Sequence, residues 1–380
     1  MASQQITATK GEPFVFLYPL TPSLEGKALG QNIYDDNGNV LLKKGVILKR
    51  PYIKKLLKMG YFEVYIQDEL SEGVDDTPLL KEKTKKRAVL TIKKIMQDYE
   101  SRARIQYQDV CSIVSNIVDE LMDQNCRVIS LQGLKAYDSY TFYHSINVCA
   151  LAVMLARWCY YTKDKLVELG MGALLHDLGK QKIPREILNK RDKLSDEEWE
   201  YIKKHTDEGY EAIRKVPQLS SICAHIAYQH HERIDGKGYP RGLQGDEILG
   251  QARVVSIADA FDAITSQRPY RDKLLPYKAV EIMEKSMGTQ FDEELLEVFL
   301  NSIAVYPNGS VVELENDLMG IVLKQNTSNN RKPRVKIIGQ KVSDTIVLLE
   351  PYELDLDSQE LSIKRAWERY ELDRLMKRVI

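Results

Sequence analysis

LLHDLGKQKIP, residues 174–184, sets in a row an apolar helix end, the adjacent pair His176-Asp177 and a turn at Gly179. Imidazole and carboxylate together suit first-row transition metals, and a carboxylate can bridge two of them with one oxygen to each. One such pair cannot fill a coordination shell, so partners must come from elsewhere in the chain. All six histidines lie between His144 and His231, with none in the first 143 residues or the last 149. That clustering makes the middle of the chain the place to look for them.

His144 falls on an apolar helix, where a lone histidine reads either as a hydrogen-bonded core residue or as a ligand. His230-His231, followed by Glu232 and a glycine-rich loop, would repel each other if both were protonated in a confined site. A coordinated cation removes that penalty, so the pair reads as ligands. His225 lies five residues before His230, roughly 140° around a helix, and is read as structural or surface. Asp259 and Asp262 share a face in SIADAFDAITS. Buried carboxylates need charge partners, so at least one of them belongs near a metal, unless one caps a helix or pairs with Arg268. Lys180, three residues after Asp177, either sets its ammonium beside an anion held by the metals or is a surface lysine.

A chain of 380 residues, 43% hydrophobic and 29% charged, has material for two or three domains. Its net charge of -1 argues against a protein that coats nucleic acid, so no DNA partner is expected; a small anionic substrate needs only a few cations. Cys111, Cys126, Cys149, Cys159 and Cys223 are scattered and form no C-x-x-C pair, which fits a reducing compartment. No apolar run approaches the roughly 20 residues of a membrane span, and MASQQITATKGEP lacks a signal peptide's apolar core. A soluble cytoplasmic protein is expected.

Read in order, residues 31–34 and 40–42 form a hairpin about Asn37-Gly38, Arg50–Met59 a helix stopped by Gly60, and residues 62–66 a strand. Residues 70–82 read as a linker, and KEKTKKR at 81–87 as a phosphate or partner patch or as a solvated helix face. Apolar residues recur at helical spacing from Ala88 to Leu134. Helices are expected over 141–161 and 165–177, then from a capping box at Ser195 and Glu198 through about Val216 with His205 inside, then over 220–231 and 250–266. After Pro307, alternating segments at 310–314, 320–324, 334–338 and 345–349 form a small β unit. The tail Ile363–Ile380 returns to helical spacing.

With these residues placed, the order His144, His176-Asp177, His205, His230-His231, Asp259 resembles the HD superfamily of metal-dependent phosphohydrolases. HHERIDGKGYP at 230–240 resembles the signature of its HD-GYP branch, whose members hydrolyse cyclic di-GMP in bacteria. The likeness extends through HDLGKQKIPREIL at 176–188, LSDEEW at 194–199 and ADAFDAITSQRPYR at 258–271, about 170 residues in all from Asp138 to the low 300s.

The resemblance implies a multidomain α+β protein with a central all-α HD-GYP domain, a small N-terminal α/β domain and a C-terminal β-rich extension. The corresponding segments are 1–80 with linker, 81–135 connecting helices, 136–305 phosphohydrolase domain, and 306–380 β extension with a terminal helix. It further implies cleavage of cyclic di-GMP to pGpG, with GMP as the alternative end product, by a metal-bridging hydroxide. His144, His176, Asp177 and Asp259 would hold one metal, and Asp177, His205, His230 and His231 the other, with iron or manganese expected first and zinc, nickel or cobalt accepted by the same donors. Asp177 and Lys180 would act in catalysis, Lys180 by stabilising developing charge on the phosphate.

By the same resemblance Asp138 would contact a guanine edge, and Arg268 and Arg271 the second phosphate, with surface salt bridges as their alternative. Members with a third metal carry a glutamate four residues before the first histidine; Tyr140 stands there, so two metals are expected. The Gly-Tyr-Pro loop implies substrate access or contact with a diguanylate cyclase, and the flanking domains a homodimer or regulation. Three other readings stand beside this one: a catalytically weak cyclic dinucleotide-binding signalling protein, an HD-type hydrolase of another nucleotide, and a helical protein with unrelated histidines.

Overall fold

Val110, Ile113, Val114, Ile117, Val118 and Leu121 recur every three or four residues, and in the computed structural model all six are buried on one face of the helix Tyr107–Met122. The structure describes residues 15–35, 39–61, 63–68, 72–75, 77–124, 128, 140–188, 190, 192–266, 273–343, 345–368 and 371–372. Contacts divide the chain into two units: Met1–Asp76 with Asn308–Lys324 and Arg334–Ile380, and Thr77–Pro307 with Gln325–Pro333.

In the first unit β1 (Val15–Pro19) pairs antiparallel with β4 (Glu63–Gln67), and β2 (Ile33–Tyr34) with β3 (Val40–Leu42), while α1 (Arg50–Lys58) buries Ile53 and Leu56. The expected hairpin and helix are present; the strand β1 is an addition. Asp36, Asn37 and Gly38 of the expected turn lie outside the described residues.

The second unit is helical: α2 (Glu82–Arg102), α3 (Tyr107–Met122), α4 (Tyr140–Trp158), α5 (Lys163–Leu175), α6 (Arg185–Leu188), α7 (Asp196–Lys203), α8 (His205–Ile213), α9 (Ser221–Gln229), α10 (Gly250–Thr265), α11 (Pro276–Glu284) and α12 (Glu293–Ser302). Every residue from Asn147 to Ala156 is buried, so α4 is covered on all sides and lies inside the bundle. KEKTKKR at 81–87 opens α2.

The helix expected from Ser195 to Val216 is two. The capping box is present, with Glu198 N–H donating to Ser195 Oγ at 3.2 Å and Ser195 N–H to Glu198 Oε2 at 2.7 Å, but α7 stops at Lys203. Lys204 has ψ -14 and donates its N–H to the Tyr201 carbonyl, a tightened last turn, so His205 opens the next helix instead of sitting inside the first. Between α5 and α6 the turn Leu178–Lys182 presses against α8. A Cβ on Gly179 would meet the carbonyl oxygen of His205 and lie 2.6 Å from the Gly209 amide nitrogen, so only glycine lets His176-Asp177 and His205 come this close.

The first unit is completed by β5 (Val311–Leu314), β6 (Leu318–Lys324), β7 (Arg334–Val342), β8 (Thr345–Asp355) and β9 (Ile363–Trp367), in the antiparallel order β8-β7-β6-β5-β9. Within it the Asp75 N–H donates to the Leu323 carbonyl and Asn308 Nδ2 to the Asp75 carbonyl, so segments from both ends of the sequence meet in one unit. The helical tail expected over 363–380 is corrected over Ile363–Trp367 by β9, which pairs with β5 from Val311 to Leu314, while Glu371 and Leu372 are helical. Glu313 has no exposure, and it draws that segment in: Trp367 Nε1 donates to its Oε2 at 2.9 Å and Arg365 Nε at 3.0 Å. A buried carboxylate needs such partners, and satisfying it outweighs helical periodicity. Residues 369–370 and 373–380 lie outside the described part.

Candidate metal centre

Three helices of the second unit end on a histidine. His176 follows α5, His230 follows α9, and His205 follows α7 by one residue. The last carbonyls of a helix have no partner within it. Each of these imidazoles takes one of them, Nδ1 donating to the carbonyl three residues back: Ala173 at 2.7 Å, Ile202 at 2.7 Å and Ala227 at 2.9 Å. A carbonyl only accepts, so the proton sits on Nδ1 and Nε2 is left with a lone pair aimed inward.

Asp177, 2% exposed, lies among these nitrogens. Its Oδ2 is 3.4 Å from His176 Nε2 and 3.6 Å from His144 Nε2, while Oδ1 is 3.6 Å from His205 Nε2 and 3.8 Å from His230 Nε2. His144, on α4, is also 3.1 Å from Asp259 Oδ1 of α10. The donors fall into two groups able to hold a cation, His144, His176 and Asp259 on one side and Asp177, His205, His230 and His231 on the other. Asp177 faces both.

Two observations say that these residues fit metal. His176 Nε2 and Asp177 Oδ1 are buried with no hydrogen-bond partner, which is costly for polar atoms unless something else satisfies them. His205 Nε2 and His230 Nε2 stand 3.4 Å apart. With both Nδ1 protons committed to carbonyls, two lone pairs face each other, and a cation between donors relieves that repulsion. Burial, then the charge of Lys180, lowers His205 to about 4; burial takes His231 to about 3; burial and the neighbouring His231 hold His230 well below its ordinary value. All three are neutral at neutral pH, the form that a metal ligand requires.

His144 differs. Burial opposes its protonation, yet hydrogen bonds to Asp259 and Asp262 outweigh that and raise it to about 9. Asp262 Oδ2 is 2.7 Å from His144 Nδ1, and Asp262 Oδ1 accepts from Asn147 Nδ2 at 2.8 Å and from Ser266 Oγ at 3.1 Å. Asp262 thus orients His144 from behind, while Asp259 presents its carboxylate to the donors in front. Three-residue spacing placed both aspartates near one site but could not divide these roles.

Lys180 Nζ lies 2.6 Å from Asp177 Oδ2 with its side chain 25% exposed. Despite burial, its charge and that of the imidazoles hold Asp177 well below the usual carboxylate range. His225 stands apart, its ring 5.2 Å from Tyr210. Asp138, Arg268 and Arg271 lie outside the described residues, as does the Tyr140 side chain. Glu232 ties down the glycine-rich loop, accepting from the Arg241 and Leu243 N–H groups at 2.8 and 3.0 Å. A cavity of about 320 Å³ opens beside the donors, with His230, His231 and Asp259 on one part of its wall and Trp199, Lys203 and Tyr239 on another.

Two outcomes follow from this geometry. Asp262→Asn should weaken metal binding roughly 10- to 100-fold, as loss of a ligand-orienting carboxylate does; competition with a chromogenic chelator measures it. The metal-free protein should melt highest near pH 6.5. His144, raised to about 9, contributes stability that is full below 6.5 and lost as pH rises through 9. His205 and His231, lowered to about 4 and 3, contribute stability present above 6.5 and lost as pH falls toward those values. Thermal melts in chelator from pH 4 to 9.5 check both arms.

Residues 111–295 match the family model described as HD domain. Cyclic di-GMP phosphodiesterase PA4108 of Pseudomonas aeruginosa is 38% identical over 227 residues, 59% of this chain and 55% of the relative. The 3'3'-cGAMP-specific phosphodiesterase 3 of Vibrio cholerae is 35% identical over 173 residues, 46% of this chain and 37% of the relative. A cyclic di-GMP phosphodiesterase of Thermotoga maritima is 37% identical over 164 residues, 43% of this chain and 45% of the relative. The chain spans about half the length of these relatives, or less. The matched segment holds six of the seven donors on helices or helix ends and His231 just beyond one, together with the HHERIDGKGYP stretch. Residues 111–295 form an HD domain similar to those of the curated cyclic-dinucleotide phosphodiesterases, and the HHERIDGKGYP stretch that resembles the HD-GYP signature lies within it.

Proposed function

We propose that the chain is a metal-dependent phosphodiesterase that opens cyclic di-GMP to pGpG. The observation that carries this is the two largely buried donor groups, with Asp177 facing both, beside a cavity with cations on its wall. Two bound cations would supply Lewis-acid polarisation of the phosphodiester and activation of water. Imidazole with carboxylate accepts iron, manganese, zinc, nickel or cobalt, and iron or manganese is assigned first on the family likeness.

The protein's own groups do the rest. His176, His205 and His230 keep their protons on Nδ1 and so present Nε2 without a proton to lose. Asp177 stays ionised at any working pH. Lys180, held at the edge of the donor groups, offers a positive charge to the oxygen that gains charge as phosphorus becomes five-coordinate. Asp138, Arg268 and Arg271 are assigned to the distal guanine and phosphate on the family likeness.

Relatives named for 3'3'-cGAMP support that dinucleotide as a second substrate reading. The same proposal includes a cytoplasmic setting. The described cysteines Cys111, Cys149, Cys159 and Cys223 are free thiols, and no described helix is long and apolar enough to cross a membrane. It also includes a diguanylate cyclase as partner of the Gly-Tyr-Pro loop and a homodimer through the flanking unit.

Protein purified without oxygen and loaded with manganese should release pGpG from cyclic di-GMP, followed by chromatography. Lys180→Ala should lower kcat roughly 100-fold with metal content unchanged, the scale seen when one electrostatic stabiliser is removed. Full metal content with tight dinucleotide binding and no turnover would replace the enzyme by a binding protein.

A further inference from the structure

Trp199 contributes nothing to metal binding or to charge, yet the residue is 45% exposed and lines the cavity that reaches His230, His231 and Asp259. That ring offers apolar surface to whatever enters the cavity. The Trp199 backbone is fixed from outside by the capping box at Ser195 and Glu198, and Lys190 Nζ grips the Glu198 carboxylate at 2.6 and 2.8 Å. The ring meets Tyr239 edge to face, centroids 6.1 Å apart at 80°, and Tyr239 stacks on His231 at 4.7 Å and 30°. An aromatic series therefore runs from a metal-ligand imidazole to an open indole. Lys203, one turn on in α7, brings its ammonium 5.8 Å from the Tyr239 centroid. Aromatic rings beside a cation are how proteins hold an unpaired nucleobase next to its phosphate.

We propose that Trp199 is the stacking platform for one purine base of the substrate, holding the phosphodiester against the Asp177 donor groups. This deepens the phosphodiesterase reading and rests on it. Every purine has a π face, so the platform grips guanine and adenine alike; discrimination between cyclic di-GMP and 3'3'-cGAMP is left to groups at the base edges.

The test compares the wild-type chain, Trp199→Ala and Trp199→Phe, all manganese-loaded and matched in metal content. With cyclic di-GMP, Trp199→Ala should raise KM roughly tenfold, the scale of one base–aromatic stack, while kcat moves less than about threefold. Trp199→Phe should restore most of the loss, and 3'3'-cGAMP should show the same ratio. Cyclic di-GMP binding to metal-free protein, measured by calorimetry, should weaken in parallel. That binding should quench indole emission in the wild type, and Trp199→Phe should bind without the quench, although Trp158 and Trp367 remain. An unchanged KM, or a loss of kcat alone, makes Trp199 a support for the Tyr239 loop and overturns the platform. If the wild type binds cyclic di-GMP without cleaving it, the enzyme reading falls and calorimetry still decides: equal affinity in Trp199→Ala overturns the inference. If the wild type does not bind it at all, both fall.

Discussion

Two imidazole lone pairs 3.4 Å apart, facing a buried carboxylate oxygen with no partner, form an arrangement that a protein interior does not keep without compensation. A cation would supply it, and much of the helical unit reads as a means of holding the donors for one. Helices α5, α7 and α9 stop where their last carbonyls can fix an imidazole, and α4 and α10 bring His144 and Asp259 to the other side. The close approach of the Gly179 turn to His205 joins the two halves. Packing, capping and charge thus converge on Asp177.

The donors are recognisable as donors from the amino-acid sequence. Histidine and carboxylate are chemically distinctive, and the confinement of all six histidines to residues 144–231 is visible in the letters alone. Their grouping into two sets is expected only through family likeness, because ligand geometry depends on helix ends that letters locate to within a few residues. His205 shows the limit: one residue of altered ψ at Lys204 moves it from the middle of an expected helix to the start of another. Asp262 shows a second limit, since spacing puts it on the right face but only the His144 contact gives it a role.

The flanking unit is legible in part. Its strands alternate and are bounded by turn residues, so β5 to β8 are readable. The tail at 363–367 is not, because its apolar residues also suit a helix, and what decides the matter is Glu313, about fifty residues away in sequence and buried in need of donors. Long-range satisfaction of a buried charge leaves no local signature. Trp199 escapes for a different reason: it sits within a motif that reads as a helix start, and exposure beside a cavity is a property of the folded chain.

The most direct measurement is anomalous diffraction from crystals of the manganese-loaded chain. Two peaks, one beside each carboxylate oxygen of Asp177, with His144, His176 and Asp259 around one and His205, His230 and His231 around the other, are the predicted result. A single peak, or metal bound away from Asp177, would contradict the account.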